Sequence, residues 1–226
     1  AAGLQIGSDR GLQAVTMIFD PVQHDLIVAT GVSEAEYMER YAADFCEYVE
    51  GVVICMMPVT LQHDDITRYL RLLLDTYFAL RPIGRALAAP YVMKASAEAR
   101  RREPDLQIIL KTNPGQVTDT AMLGPADICI EVVSEGSEEL DYGTKFVEYE
   151  RAGVKEYWLL DSVRRDHRFY RLNEQRIYIA QPLASDGTYT TQLLPGLKID
   201  VDRLWQMLLP DPIQTVQAIQ TMLKDA

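Results

Sequence analysis

DICIEVVSEGSEELDYGTKFVEYERAGVKEYWLLD, residues 127–161, decides the fold. Its two ends, DICIEVV and EYWLLD, are apolar runs rich in β-branched and aromatic residues, at the length of buried strands. Between them the pattern becomes helical. Ser137 offers an N-cap, Glu138, Glu139 and Asp141 fill a first turn where the helix dipole favours negative charge, and Gly153 supplies the C′ stop. Asp141, Lys145 and Glu148 then recur at i, i+4 and i+7 on one face, leaving Phe146, Tyr149 and Ala152 to face the core. Strand, helix and strand in succession predict a mixed α/β chain.

Upstream, DLQIIL (105–110) reads as a second buried strand, and KTNPGQVTDTAMLGP (111–125) as a loop by its Asn-Pro-Gly and Gly-Pro punctuation. Thr60 caps a long helix to about Leu80, with Asp64 and Asp65 in its first turn and a core stripe of Ile66, Leu70, Leu73, Leu74 and Tyr77. FCEYVEGVVICMMP (45–58) is a β-hairpin hinged at Glu50-Gly51. Ser33-Glu34-Ala35-Glu36 is a capping box that starts a helix running to roughly Ala43. Residues 1–30 carry weak strand signals, AVTMIF and LIVA. Downstream, FYRL, RIYIAQPL and YTTQLL continue as antiparallel β material, and two helical stretches follow at about 201–208 and 212–224.

The 226 residues suit one domain, 1–226, with an N-terminal extension (1–30) and a C-terminal helical tail (206–226). A hydrophobic fraction of 48% and a charged fraction of 24% exclude a disordered chain, a collagen-like one and a small disulfide scaffold. Every apolar run is broken by charge or proline before the roughly 18–20 residues a membrane span needs, so no membrane partner is expected. The N-terminus has no basic segment leading into an apolar one. Cys46, Cys55 and Cys129 form no CxxC pair, which suits buried thiols in a reducing compartment. A cytoplasmic protein is the expectation. A net charge of −11 excludes a nonspecific nucleic-acid coat. Two stretches run against it: 81–102, with Arg81, Arg85, Lys94 and Arg100 to Arg102 against Glu98, and 164–171, with Arg164, Arg165, Arg168 and Arg171 against Asp166.

Two carboxylates stand out by position, Asp105 at the head of one buried strand and Glu131 inside another. A carboxylate amid DICIEVV is costly to bury unless it is paired or binds a cation. If the strands are neighbours, two hard oxygen ligands meet, which suits Mg²⁺. Lys145 on the following helix can then orient or deprotonate a water and offset phosphate charge. A structural ion pair among the same residues is the competing explanation.

The series CEYVEG–VVICMMP, LQHDDI, EPDLQIIL, DICIEVVSEGS and DYGTKFVEYERAGVKEYWLLD resembles the Uma (Uma-two) family, over about residues 31–205 and in that family's order. These are bacterial proteins regarded as endonucleases with the restriction-endonuclease-like PD-(D/E)XK fold, a central mixed β-sheet flanked by helices. The resemblance implies that Asp105 is the Pro-Asp acid, Glu131 the second acid and Lys145 the basic residue, moved from strand to helix because Val133 holds the usual third position. It implies Mg²⁺, with Mn²⁺ as a substitute, held by Asp105 and Glu131, and hydrolysis of phosphodiesters in DNA. Glu47 or Glu50 is a candidate additional acid. His63 matches the family's helix-opening His and is a candidate to contact substrate or a carboxylate. At the third helical position the dipole disfavours a protonated ring. The usual Ser-Pro-Ser-Thr after the second acid is SEGS here, and Val52 follows the hairpin glycine where an acid is common.

Arg100 to Arg102 either hold a nucleic-acid backbone beside the site or form a solvated hairpin tip. The tail residues Trp205, Met207, Leu208 and Leu209 offer a homodimer contact, as expected of an enzyme cutting both strands, or belong to the core. Three function classes remain: a Mg²⁺-dependent nuclease, a non-catalytic protein of the same fold that binds nucleic acid or protein, and a hydrolase of some other phosphoester.

Overall fold

A computed structural model of the protein describes residues 18–19, 25–41, 46–49, 51–56, 59–95 and 101–224. The chain divides into two compact units, Ala1–Pro58 and Val59–Ala226. In the first, β1 (Ile18–Phe19) and β2 (Asp25–Thr30) precede α1 (Glu34–Arg40), and β3 (Cys46–Val49) and β4 (Val52–Met56) follow. They form a sheet of order β1-β2-β4-β3. Val49 lies opposite Val52, which leaves two residues for the turn, and Gly51 has a φ of 88°. Tight two-residue hairpins demand such left-handed positions, and glycine adopts them without a Cβ clash. The Ser33 hydroxyl accepts from the Glu36 amide at 3.2 Å, as the capping box requires, while the Glu36 carboxylate is engaged by Arg40. That helix closes at Tyr41, earlier than expected.

The second unit opens with α2 (Leu61–Leu80), then β5 (Gly84–Ala88), β6 (Val92–Lys94), β7 (Arg101–Arg102), β8 (Leu106–Leu110), β9 (Gln116–Val117), β10 (Ala121–Leu123) and β11 (Ile128–Val133). A π-helical segment (Leu140–Lys145) runs directly into α3 (Phe146–Ala152). After it come β12 (Glu156–Asp161), β13 (Asp166–Leu172), β14 (Tyr178–Gln181), β15 (Thr188–Thr190), β16 (Lys198–Asp200), α4 (Val201–Leu204) and α5 (Pro212–Lys224).

A mixed six-stranded sheet, order β14-β13-β12-β11-β8-β5, carries the unit. The crossover through α3 makes β11 and β12 parallel, whereas β8 runs antiparallel to β11. Strand alternation sends Ile128, Ile130 and Val132 into one core with Ile66, Leu70, Leu73, Leu74 and Tyr77 of α2. Cys129 and Val133 enter a second core on the opposite face, with Tyr149 and Tyr157. The α2 stripe is the one the sequence predicts, and burying each of those side chains contributes about 1.5–3 kcal/mol. The helix begins where Thr60 accepts from the His63 amide at 3.1 Å.

Three expectations need correction. The segment 111–125 is not wholly loop: β9 and β10 lie within it. Strands of two or three residues leave no periodicity to read, and β10 is fixed by parallel pairing to distant β6. The Ser137 hydroxyl does not cap forwards; it turns back to the Ser134 carbonyl at 3.1 Å and accepts from the Ser134 amide at 3.0 Å. Finally, α4, which Asp200 caps at its start by accepting from the Arg203 amide at 3.2 Å, stops at Leu204.

Candidate active site

The β8–β11 register places Leu106 opposite Ile130, so Asp105 and Glu131 come side by side. The Asp105 amide donates to Glu131 Oε2 at 3.4 Å, and Asp105 Oδ2 accepts from the Val132 amide at 2.7 Å. His63, at the start of α2, brings Nε2 to 3.1 Å from that same Oδ2. Lys145 bridges two acids, with Nζ 2.9 Å from Glu131 Oε2 and 2.9 Å from Asp141 Oδ1. Four of the residues proposed from sequence, His63, Asp105, Glu131 and Lys145, therefore form one cluster. Glu50 lies outside the described residues, as does the side chain of Glu47.

The π-helical turn explains how Lys145 gets there. An α-helical face would have grouped Asp141, Lys145 and Glu148, but the wider i→i+5 turn shifts the phase. Tyr149, not Glu148, completes the inward row: its hydroxyl donates to Glu131 Oε1 at 2.9 Å. Glu148 instead takes a two-pronged ion pair from Arg102, at 2.7 and 3.0 Å. Arg102 is thus buried rather than solvated, Arg101 is exposed, and Arg100 lies outside the described residues. Tyr149 was missed as a neighbour of the acids because a helical wheel assigns it to the core, whereas the i, i+4 spacing had already put Asp141 on the Lys145 face.

Charge in the cluster is unbalanced. Three carboxylates (Asp105, Glu131, Asp141) meet one ammonium and one imidazole, so full ionisation leaves an excess negative charge. Glu131 absorbs it: burial pushes its carboxyl up to about 8, against the pull of Lys145 and with the repulsion of Asp105 and Asp141. Burial works on Asp105 in the same sense, but the His63 hydrogen bond, the charges of His63 and Lys145 and the Val132 amide carry it below the ordinary carboxylate range. Lys145 is held protonated: desolvation opposes its charge, and Glu131, Asp141 and Asp105 overcome that. His63 rises above its ordinary value, because Asp105 outweighs burial. The helix dipole thus loses to a carboxylate in direct contact, and the neutral ring expected from the dipole gives way to a shift towards imidazolium. His63 Nδ1 is buried with no hydrogen-bond partner among the described residues.

The other features sort differently. In the 164–171 island, Arg164 pairs with Asp161, Arg168 with Asp166 and Arg171 with Glu156, so much of its charge is met locally. Phe169 is strand core, stacked on Tyr189 at 3.7 Å. His167 sits beside it, outside the acid cluster. Among the described residues, no helix is long and apolar enough to cross a membrane.

Comparison with known proteins places this geometry. The Uma2 family model, described as "Putative restriction endonuclease", matches residues 33–202. The chain belongs to the Uma2 family. A solved structure similar to this Uma2 protein is that of "a putative nuclease belonging to DUF820 from Anabaena variabilis ATCC 29413". The two share 16% identity with a TM-score of 0.56, over 76% of this chain and 96% of the other. At that identity the likeness shows the fold, a mixed α+β restriction-endonuclease-like architecture. No curated protein matches the chain.

Proposed function

We propose that this Uma2 protein is a metal-dependent nuclease that hydrolyses phosphodiester bonds in DNA. One observation carries the reading: two carboxylates, Glu131 within one strand and Asp105 at the head of its neighbour, meet beside a buried lysine on a mixed sheet. The family description and the nuclease-like fold neighbour support the same reaction class.

Asp105 and Glu131 are the proposed ligands for Mg²⁺, with Mn²⁺ as a substitute. Their donors are hard carboxylate oxygens, and Mg²⁺ commonly takes one or two such groups while water and substrate phosphate fill the rest. Among the described residues no three His, Cys, Asp or Glu side chains form a ready cage, which a two-carboxylate site does not need. When bound, the ion supplies phosphate polarisation and a water of lowered pKa. Lys145 is assigned to steer that water and to offset the charge developing on phosphate. His63 keeps the Asp105 carboxylate ionised and oriented. The proposed assembly is a homodimer, for which the exposed Met207 and Leu208 supply an apolar contact.

A second reading rests on its own observation. Glu131 and Lys145 side chains are each only 2% exposed and pair with one another at 2.9 Å. A protein that uses this cluster as a buried strut, and binds nucleic acid or protein elsewhere, would look the same. Calorimetry with Mg²⁺ and Mn²⁺, paired with cleavage of DNA, separates the two. Binding that disappears in Glu131→Gln together with metal-dependent cleavage supports the nuclease. A wild-type protein that binds neither ion selects the strut.

A further inference from the structure

We propose that Tyr149 is a positioning residue that fixes the Glu131 carboxylate for cation binding. The inference rests on the nuclease reading above and adds a residue to its machinery. The two oxygens of Glu131 have separate tethers. Oε2 faces Lys145 and the Asp105 amide, on the side where the second proposed ligand lies. Oε1 is held from behind by the Tyr149 hydroxyl at 2.9 Å. With one oxygen tied, the carboxylate plane cannot turn about its last bond, and Oε2 stays aimed at Asp105.

The tyrosine is itself immobilised. Tyr149 is 1% exposed, and its ring meets Tyr157 edge-on at 5.1 Å and 89°. Tyr157 in turn donates to the Asp141 carbonyl at 2.9 Å, inside the π-helical segment. The brace behind the ligand is therefore continuous from strand to helix. Outer partners of this kind orient ligands, and their loss typically weakens metal affinity or activity by about 10–100-fold.

Tyr149→Phe removes the hydroxyl and keeps the ring. Tyr178→Phe is the matched control: Tyr178 is a neighbouring tyrosine of the same cluster, and its hydroxyl donates to the Val154 carbonyl at 2.8 Å rather than to an acid. Calorimetry with Mn²⁺ alone is the readout, alongside melting temperatures of each variant. The expected result is a comparable fall in melting temperature for both, with Mn²⁺ affinity reduced about tenfold or more only in Tyr149→Phe. Equal Mn²⁺ affinity in Tyr149→Phe and wild type, or equal weakening in both variants, overturns the positioning role and leaves the nuclease reading intact. A wild-type protein that binds no Mn²⁺ overturns the nuclease reading, and this inference falls with it. Should Tyr149→Phe not fold, Mn²⁺ binding by Tyr157→Phe decides: the rings and the Tyr149 hydroxyl are kept while the tie from Tyr157 to the Asp141 carbonyl is lost, and unchanged affinity overturns the brace.

Discussion

Two buried glutamates sit on the paired parallel strands β11 and β12, and they are built in opposite ways. Glu156 faces the α2 side of the sheet and is surrounded by donors. Trp158 Nε1 and the Tyr189 hydroxyl donate to its Oε2, both at 2.9 Å, while Arg171 Nε donates to Oε1 at 2.9 Å and Thr191 joins it there. Among the described residues no second acid competes for those groups. Glu131 faces the other side, shares one lysine with Asp141 and has Asp105 alongside. Burial is nearly the same, 1% against 2%. What distinguishes a structural acid from a candidate catalytic one here is whether its neighbourhood holds more carboxylates than cations.

Exchanging each glutamate for glutamine should break the comparison most visibly. Glu156→Gln puts an amide where Arg171, a tyrosine, a tryptophan and a threonine all need an acceptor, and should lower unfolding free energy by about 3 kcal/mol. Glu131→Gln relieves acid–acid repulsion and should be as stable as wild type or more so. Urea denaturation of both variants without divalent cation checks this. Equal destabilisation would make Glu131 a strut like Glu156.

Lys145→Met sharpens the contrast from the cation side. Removing the shared ammonium leaves Glu131 and Asp141 uncompensated, so the cation-free protein should lose about 3 kcal/mol. Added Mg²⁺ should recover part of that, because a competing positive charge is gone, while cleavage falls about 100-fold or more. Melting temperatures with and without Mg²⁺, together with a cleavage assay, read both effects. Loss of Mg²⁺ binding would contradict the assignment of Lys145 to the chemical step.

Glu131 should also declare itself on a pH axis. In the folded state Glu131 titrates at about 8, above its ordinary 4.5, so the fold gains stability from the protonated acid. That contribution is complete below the unfolded value and is lost as pH rises through about 8. His63, also raised, acts in the same direction. The cation-free protein should therefore melt at lower temperature as pH goes from about 6 to about 9, and Glu131→Gln should flatten the slope. Asp105 is lowered and has the opposite sign: its contribution is present at neutral pH and lost on acidification through its folded pKa. A wild-type slope unchanged by Glu131→Gln would move the titration elsewhere.

The smallest effect concerns the surface. Met207 is 96% exposed and Leu208 84%, so changing both to serine should alter stability by less than about 0.5 kcal/mol each. Light scattering at micromolar concentration tests the proposed homodimer, which the double variant should weaken. A monomeric wild type rejects it.

The parts of this architecture that were readable in advance are those fixed locally. Thr60 caps α2, Gly51 permits the hairpin, and the stripe from Ile66 to Tyr77 sets a helix face; each signal lies within a few residues of its effect. The pairing of Asp105 with Glu131 could be anticipated because one heads a buried strand and the other interrupts an apolar run. What escaped depends on distant partners. Nothing near Met122 announces that β10 will pair with β6, and nothing near Arg102 announces Glu148. Tyr149 looked like core because it is core; its hydroxyl has a second use that hydrophobic patterning cannot register.

The π-helical segment from Leu140 to Lys145 has a consequence for how such a centre is lost over evolutionary time. A wide turn amounts to an inserted residue, and Gly143 within it has open space around it. Deleting a single codon there would let the backbone relax into an ordinary helix, turning Asp141 by about 100° against Lys145 and Tyr149. The strands on either side would keep their sequence, while the buried Leu140 would turn with Asp141. Under the proposed function, descendants that have lost the activity are then to be sought by a one-residue gap between the second acid and the lysine, in chains whose Asp105, Glu131 and Lys145 counterparts all remain in place.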